Sequence, residues 1–152
     1  MTFEECVKQF QNQQYFKHIL ENSSGRCIFI MFWAPGGYTR PHEHLYDGKG
    51  SPARIHVLCG TLIQELFGIL EENYELLERN ECSTGEEIYE DPDSVHRIGN
   101  GSLRDWAVSI HEFTPGFKMK VYDFAKNKKW LVEGKEDTLG DPRDDAEPIW
   151  PN

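Results

Sequence analysis

The stretch Gly37-Tyr-Thr-Arg-Pro-His-Glu-His44 places two histidines one residue apart, directly after the turn-forming run Ala34-Pro-Gly-Gly37. Side chains alternate between the two faces of an extended segment, so His42 and His44 are predicted to point to the same side. Two imidazoles on one face can chelate a metal ion, although two strand histidines with no special role would give the same pattern. A third histidine, His96, follows its own turn and favours the metal site.

Length and composition favour a small globular protein that binds a small molecule. The chain has 152 residues, of which 38% are hydrophobic and 12% aromatic, which is typical of one domain with a buried core. We therefore predict a single domain over residues 1–152. The formal net charge of −10 disfavours nucleic acids and anionic membranes as partners, because both bind cationic surfaces.

The cysteines and the N-terminus favour a reducing compartment. The four cysteines form neither a Cys-x-x-Cys pair nor the spacing of a secreted disulfide scaffold. Cys27 and Cys59 lie in apolar, strand-like runs and are predicted to be core residues. The N-terminus lacks the basic and apolar regions of a signal peptide, and no apolar run approaches a membrane span in length. We expect a soluble, cytoplasmic protein.

Short strand-like segments separated by turns dominate the chain from Arg26 onwards. In the segment after Trp106, Ala107, Ser109, His111 and Phe113 alternate onto one face. Many short strands with turn residues between them predict an all-β fold, an antiparallel barrel or jelly roll over about residues 26–132. The predicted segments are Arg26–Trp33, Arg54–Leu58, Thr61–Ile69, Tyr74–Arg79, Trp106–Thr114 and Lys118–Phe124.

The two ends of the chain are predicted to differ from this barrel. A capping-box pattern and apolar residues at helical intervals predict a helical N-terminal segment over residues 1–22. Residues 133–152 contain seven acidic and two basic residues, half of the formal net charge, and three prolines. We predict an irregular acidic tail there, which is solvated or docks on the barrel through Ile149 and Trp150.

Two glycine-to-histidine spacings resemble the two motifs of the cupin superfamily, and the resemblance implies a cupin double-stranded β-helix. In the first motif five residues separate Gly36 from His42, which is followed by His44. In the second, five residues separate Gly85 from Asp91, which is followed by His96 and Asn100. Asp91 and Asp93 stand where cupins usually have proline and glycine. The glutamate that usually follows the first histidine pair is missing, so the resemblance implies three histidines without a carboxylate.

Within the cupins, the all-histidine site and two further segments resemble the thiol dioxygenases, cysteine dioxygenase in particular, over about Tyr15 to Asp123. The segments are Val95–Asn100 and Ala107–Phe117. The resemblance implies an iron enzyme that oxidises a small thiol, cysteine or a related thiol acid, to its sulfinate with dioxygen. His42, His44 and His96 would bind the metal. Ferrous iron is the expected ion, with nickel, zinc or manganese as alternatives in the isolated protein.

The resemblance also suggests roles for Ser109 and His111, which would begin an outer-sphere relay. In the family this relay ends on a tyrosine over the iron, whereas Phe113 stands at that position here. The thioether crosslink that some members form is excluded, because Ser51-Pro52-Ala53 occupies the region of the crosslinked cysteine. Phe113 is predicted to line the substrate site.

A cation for the carboxylate of the substrate is also expected. The arginine of the family falls near Lys17 or His18, and a lysine binds a carboxylate as a point charge without bidentate geometry. Lys17 and Arg40 are the candidates, and Tyr15 is a candidate wall of the substrate site. Cysteine and a different small thiol acid both remain open as substrates.

Each of these assignments has a plainer alternative. His96 could cap a turn, His111 could be a satisfied core histidine, and Lys17 and Arg40 could be solvated charges. Three functions therefore remain open. They are a thiol dioxygenase, another metal-dependent cupin such as a non-thiol dioxygenase or an isomerase, and a non-catalytic cupin that binds a small acid. For the enzyme we expect a small thiol and dioxygen as partners and a monomer or homodimer.

Overall fold

The computed structural model describes residues 14–23, 26–46, 49–50, 52–70, 73–113, 118–124, 128–133 and 138–139. In this part of the chain no helix has the length and apolar character needed to cross a membrane. The described residues form strands β1 (Tyr15–Ser23), β2 (Arg26–Trp33), β3 (His42–Tyr46), β4 (Lys49–Gly50), β5 (Ala53–Cys59), β6 (Thr61–Leu70), β7 (Asn73–Ser83), β8 (Glu87–Glu90), β9 (Val95–Asn100), β10 (Ala107–Phe113), β11 (Lys118–Asp123), β12 (Lys128–Glu133) and β13 (Thr138–Leu139).

The strands form two antiparallel sheets. The first has the order β13-β1-β2-β10-β5-β8, and the second has the order β12-β11-β3-β9-β6-β7, with β4 paired to β3. The inner faces of the two sheets pack together. For example, the ring centroid of Phe113 in the first sheet lies 4.3 Å from that of His44 in the second. This arrangement confirms the predicted all-β jelly roll.

The core follows from side-chain alternation in the central strands of the first sheet. In β2, Cys27, Phe29, Met31 and Trp33 are buried, and the residues between them are partly exposed. In β10, the residues predicted to share one face, Ala107, Ser109, His111 and Phe113, are all buried. Each large apolar side chain removed from water in this way contributes about 1.5–3 kcal/mol. The inward face of β10 thus places the polar groups of Ser109 and His111 next to the apolar side chains of β2.

The two motif glycines both stand where the backbone enters the left-handed region. Gly36 has φ +67° and Gly85 has φ +87°, a conformation that costs glycine little because it lacks a Cβ. Asp93 also has φ +67° at the position where cupins usually have glycine. Its Oδ1 accepts a hydrogen bond of 3.1 Å from the backbone N–H of Gly50, and aspartate tolerates this region better than most residues.

The predicted helical segment 1–22 is wrong over its second half. Residues 1–13 lie outside the described residues, and Tyr15–Ser23 form β1, which pairs with β2 along its length. The pairing buries Tyr15, Phe16 and Lys17 against the barrel. Aromatic and β-branched residues favour a strand, and here pairing outweighs the helical spacing of the preceding residues.

The prediction of an irregular tail is wrong at Thr138 and Leu139. Thr138–Leu139 form β13, which pairs antiparallel with Phe16 and Lys17 of β1. The local sequence gave no strand signal there, because the partner is more than one hundred residues away. Residues 140–152, including Ile149 and Trp150, lie outside the described residues.

The prediction of Cys59 as a core residue is wrong, whereas Cys27 is buried as expected. The reason is a bulge near the end of β5. Ser109 is paired with Val57 but Val108 is paired with Cys59, so β5 contains one extra residue here. An extra residue reverses the inward and outward alternation, and Cys59 therefore faces outward.

Candidate active site

His42 and His44 point into the barrel from β3, and both are buried. His96 is paired directly opposite His42 in the neighbouring strand β9. The Nε2 atom of His96 lies 3.1 Å from Nε2 of His42 and 3.3 Å from Nε2 of His44. One ring nitrogen from each histidine lies within 4.8 Å of the others. Alternation and cross-strand pairing thus bring together the three predicted ligands.

The ring of His42 is held in the tautomer that a metal ligand requires. Its Nδ1 lies 2.7 Å from the backbone carbonyl oxygen of Arg40. A carbonyl oxygen only accepts hydrogen bonds, so Nδ1 carries the proton and Nε2 keeps its lone pair. Burial lowers the pKa of His42 and of His44 to about 3 and holds the pKa of His96 well below its usual value. The three imidazoles are therefore neutral at neutral pH and fit a divalent metal ion.

These pKa shifts predict an acid-sensitive metal-free protein. Between pH 6.5 and about 3 the unfolded chain protonates histidines that stay neutral in the folded state. Their contribution to stability is therefore complete above pH 6.5 and is lost as the pH falls towards 3. We expect the thermal midpoint of the metal-free protein to fall over this range, with a shallower fall for His42→Gln.

Differential scanning calorimetry across this pH range checks the prediction, with His56→Gln as the control. The side chain of His56 is 42% exposed, so this control removes an imidazole without changing the buried cluster. The raised pKa of buried Glu90 gives a contribution of the opposite sign, which is lost as the pH rises. It is common to all three proteins, so it cancels in the comparison. Equal slopes for wild type and His42→Gln would contradict the burial of a neutral His42.

A carboxylate that the sequence did not predict lies beside the three histidines. Glu90 ends β8 in the opposite sheet and is buried. Its Oε2 lies 3.2 Å from Nε2 of His44, and its Oε1 lies 3.1 Å from Nε2 of His96. The expectation of three histidines without a carboxylate is therefore wrong. Only the alternation of Ile88 and Glu90 in a short strand could have indicated that Glu90 points inward.

Ser109 and His111 form a buried hydrogen-bonded chain with Trp33. The indole N–H of Trp33 donates to Oγ of Ser109 at 2.9 Å, and this Oγ lies 2.8 Å from Nε2 of His111. Because Ser109 accepts from Trp33, its own proton is available to His111, which then carries its proton on Nδ1. Burial lowers the pKa of His111 well below its usual value. This chain can hold a neutral imidazole in one orientation.

Phe113 lies against the histidine cluster and leaves no hydroxyl there. Its ring centroid is 4.3 Å from that of His44 and 5.2 Å from that of Phe29. Phe29 in turn stacks on His111 at 4.9 Å. The two phenyl rings form an apolar wall that joins the histidine cluster to the Ser109–His111 pair.

Of the two candidate cations, Lys17 lies beside the phenyl rings next to the histidine cluster. Lys17 is buried in β1, and its Nζ is 5.4 Å from the ring centroid of Phe29. Its positive charge contributes to lowering the pKa of His44 and of His111. The Arg40 guanidinium instead forms a buried ion pair of 3.3 Å with Asp123. Tyr15 packs against Trp33, with 5.4 Å between ring centroids, and belongs to the core.

Known proteins resemble this chain in both sequence and fold. Human cysteine dioxygenase type 1 is 24% identical over 118 residues, which cover 72% of this chain and 55% of the relative. The Danio rerio protein is 24% identical over 120 residues, covering 72% and 56%. The chain thus spans about half the length of these curated relatives. A solved RmlC-like cupin family protein with a double-stranded β-helix fold, from Methanocaldococcus jannaschii, aligns with a TM-score of 0.52 and 17% identity, covering 65% of this chain and 80% of that one.

The structural likeness establishes the fold as the cupin double-stranded β-helix. A family model matches residues 4–126, which are most of the chain, and its description is cysteine dioxygenase type I. The matched residues include the inward histidines of β3 and β9 and the inward face of β10. The chain therefore belongs to the cysteine dioxygenase type I family.

Proposed function

We propose that this protein is an iron-dependent thiol dioxygenase that converts a small thiol acid to its sulfinate. The observation that carries the proposal is the convergence of three neutral, buried imidazoles in a chain of this family. Three uncharged ligands leave the charge of a divalent ion available to an anionic substrate. A ferrous ion held by His42, His44 and His96 would supply the redox chemistry that joins a thiol to dioxygen.

The protein residues around the histidines would bind and orient the substrate. Lys17 supplies a buried positive charge for the carboxylate of a thiol acid. Phe113 and Phe29 keep the adjoining space apolar and exclude water. Holding the reactants together makes their reaction effectively intramolecular. Arg40 fits this role less well because its guanidinium is already paired with Asp123.

Proton handling falls to the Ser109–His111 pair in this proposal. A thiol and dioxygen together contain all the atoms of a sulfinic acid, RSH + O₂ → RSO₂H. Sulfur loses the four electrons that dioxygen gains, so no external reductant is needed. The thiol proton must leave sulfur and return to the product. In this proposal the Oγ of Ser109 accepts it while passing its own proton to Nε2 of His111, 2.8 Å away.

Oxygen-electrode measurements on a panel of thiols test the proposed function. The protein is reconstituted with ferrous iron without oxygen and then assayed on cysteine, mercaptopropionate, mercaptosuccinate, mercaptolactate and cysteamine. We expect uptake with the carboxylate-bearing thiols and little with cysteamine. No thiol-dependent uptake across the panel would contradict the proposal. Uptake with cysteamine alone would instead contradict the assignment of Lys17.

A second function, that of a metal-dependent cupin acting on a substrate without a thiol, has one observation in its favour. Glu90 brings a carboxylate to the histidine cluster, and this carboxylate lowers the net positive charge available to a thiolate. A carbon-cleaving dioxygenase or an isomerase would have less need of a thiolate. The thiol panel separates this alternative from the proposed function.

The substitution Phe113→Tyr is predicted to keep the metal and to change substrate use. The new hydroxyl would lie beside the ring of His44, where it can donate or accept a proton. We expect cysteine oxidation to rise, by up to about 100-fold, with no change in metal content. Mass spectrometry should detect no crosslinked species, because Ser51-Pro52-Ala53 lacks the cysteine.

The matched control is Phe32→Tyr. It adds the same hydroxyl to β2 of the same sheet, on the face that points away from the histidine cluster. Phe32 stacks on Phe16 at 6.2 Å, outside the inward set of that strand. It should leave both metal content and cysteine oxidation unchanged. If Phe113→Tyr behaves like this control on every thiol, Phe113 does not contact the substrate.

A further inference from the structure

A buried carboxylate reaches the histidine cluster from the opposite sheet. Glu90 is 2% exposed and follows Ile88 on the inward face of β8. Its two oxygens divide between two histidines, at 3.2 Å from Nε2 of His44 and 3.1 Å from Nε2 of His96. These are the same nitrogens that approach each other to 3.3 Å. Glu90 therefore lies beside two members of the convergent set, His44 and His96.

Glu90 contacts the nitrogens that would face the metal and not the outer nitrogens. A carboxylate that only orients a ligand histidine binds its other ring nitrogen. For His42 the outer position, Nδ1, is taken by the carbonyl oxygen of Arg40 at 2.7 Å. Glu90 has the opposite geometry, because it lies beside the Nε2 atoms. This geometry is that of a ligand and not of a supporting residue.

The carboxylate of Glu90 also lacks hydrogen bonds. Among the described residues, neither of its oxygens has a hydrogen-bond partner, although both are buried. The two contacts to histidine nitrogens are short, but they do not have hydrogen-bond geometry. A buried carboxylate without hydrogen bonds is costly unless a cation compensates it. A divalent ion held beside His44 and His96 would compensate it directly.

We propose that Glu90 is a fourth protein ligand of the metal ion that the three histidines would hold. This inference rests on the metal site of the proposed function and refines its substrate class. Among the described residues, the donor atoms that all lie within 4.8 Å of one another belong to the three histidines. Glu90 would therefore approach the ion from the side of His44 and His96.

A fourth ligand changes which thiol the site favours. The carboxylate offsets one unit of metal charge and occupies one coordination position that a substrate would otherwise use. A thiol that attaches through sulfur alone still fits beside dioxygen. A thiol that also binds the metal through an amine must compete with Glu90 for a coordination position. The substrate class becomes thiol acids without an amine next to the thiol, with their carboxylate near Lys17.

Metal titration of Glu90→Gln tests the proposal without using activity. The matched control is Glu43→Gln, because Glu43 lies between two of the histidines in sequence but points to the other face. Its Oε1 accepts a hydrogen bond of 2.7 Å from the hydroxyl of Tyr122 and lies 3.0 Å from Nζ of Lys120. Each protein is prepared metal-free and titrated with Co²⁺. The readouts are the visible spectrum of the bound ion and the rise in thermal midpoint on binding.

We expect Glu90→Gln to change the Co²⁺ spectrum and to weaken binding by about 10- to 100-fold or more. The metal-free variant should melt at the wild-type temperature or above it, because an uncompensated buried charge is gone. Glu43→Gln should match wild type in spectrum and affinity. An unchanged spectrum in Glu90→Gln would overturn the proposal, whatever happens to stability. If wild-type protein binds no metal, the proposed function fails first, and the two failures are thereby distinguished.

Discussion

The substitution His96→Ala is expected to reduce bound metal from about one ion per chain to almost none and to abolish thiol-dependent oxygen uptake. His96 is 1% exposed, and its Nε2 is the atom that approaches both His42 and His44 within 3.3 Å. Removing it leaves two imidazoles from the first motif, and a pair of ligands holds a divalent ion much less tightly than three. Elemental analysis after expression with added iron measures the change.

His56→Ala is the control for His96→Ala. His56 lies on β5 and has an exposed side chain whose Nδ1 is 3.3 Å from a carboxylate oxygen of Glu87. The control removes an imidazole without touching the cluster, so metal content and oxygen uptake should stay at wild-type values. If His96→Ala retains metal as well as His56→Ala does, the three-histidine centre is wrong.

The second large effect is expected at Lys17. Lys17→Met keeps most of the side-chain volume and removes the buried positive charge above the ring of Phe29. A hydrogen bond to a charged group is worth about 1.5–3 kcal/mol, so kcat/KM on mercaptopropionate should fall by about 10- to 150-fold. Activity on a thiol without a carboxylate should change little.

Lys120→Met provides the matched control for Lys17→Met. Lys120 lies on β11 in the second sheet, where its Nζ is 3.0 Å from Glu43. Steady-state kinetics on both thiols should match wild type for this variant. An equal loss on thiols with and without a carboxylate would show that Lys17 supports the fold or the metal centre and does not bind the substrate carboxylate.

The sequence predicted those features that depend on alternation within one strand. His42 and His44 share a face because one residue separates them. The same rule correctly grouped Ser109, His111 and Phe113 on one face, which the fold buries. His96 was found because its own motif has a fixed spacing. These patterns have a period of two residues and do not require knowledge of any distant partner.

The features that the sequence missed depend on contacts between distant segments. Glu90 meets the histidines only because β8 in one sheet faces β3 and β9 in the other. Tyr15–Ser23 is a strand because β2 offers it a partner along its length. Cys59 faces outward because of a bulge opposite Val108 and Ser109. No local pattern of hydrophobicity contains this information.

The position of Phe113 does not by itself determine which group handles the proton in the reaction. The residue lies beside His44, and it offers no proton at the place where a tyrosine hydroxyl would lie. Ser109 and His111 are the neighbouring groups that can hold a proton, and they are already hydrogen-bonded to each other. Substrate choice therefore depends on the combination of Phe113, Lys17 and Glu90.

Isotope labelling with ¹⁸O₂ tests the central proposal most directly. The iron-loaded protein is incubated with mercaptopropionate under ¹⁸O₂, and the product is analysed by mass spectrometry. If the protein is a thiol dioxygenase, the product is the sulfinate with both of its new oxygen atoms labelled. A product that contains one labelled oxygen, an unlabelled sulfinate or only the disulfide would contradict the proposed reaction.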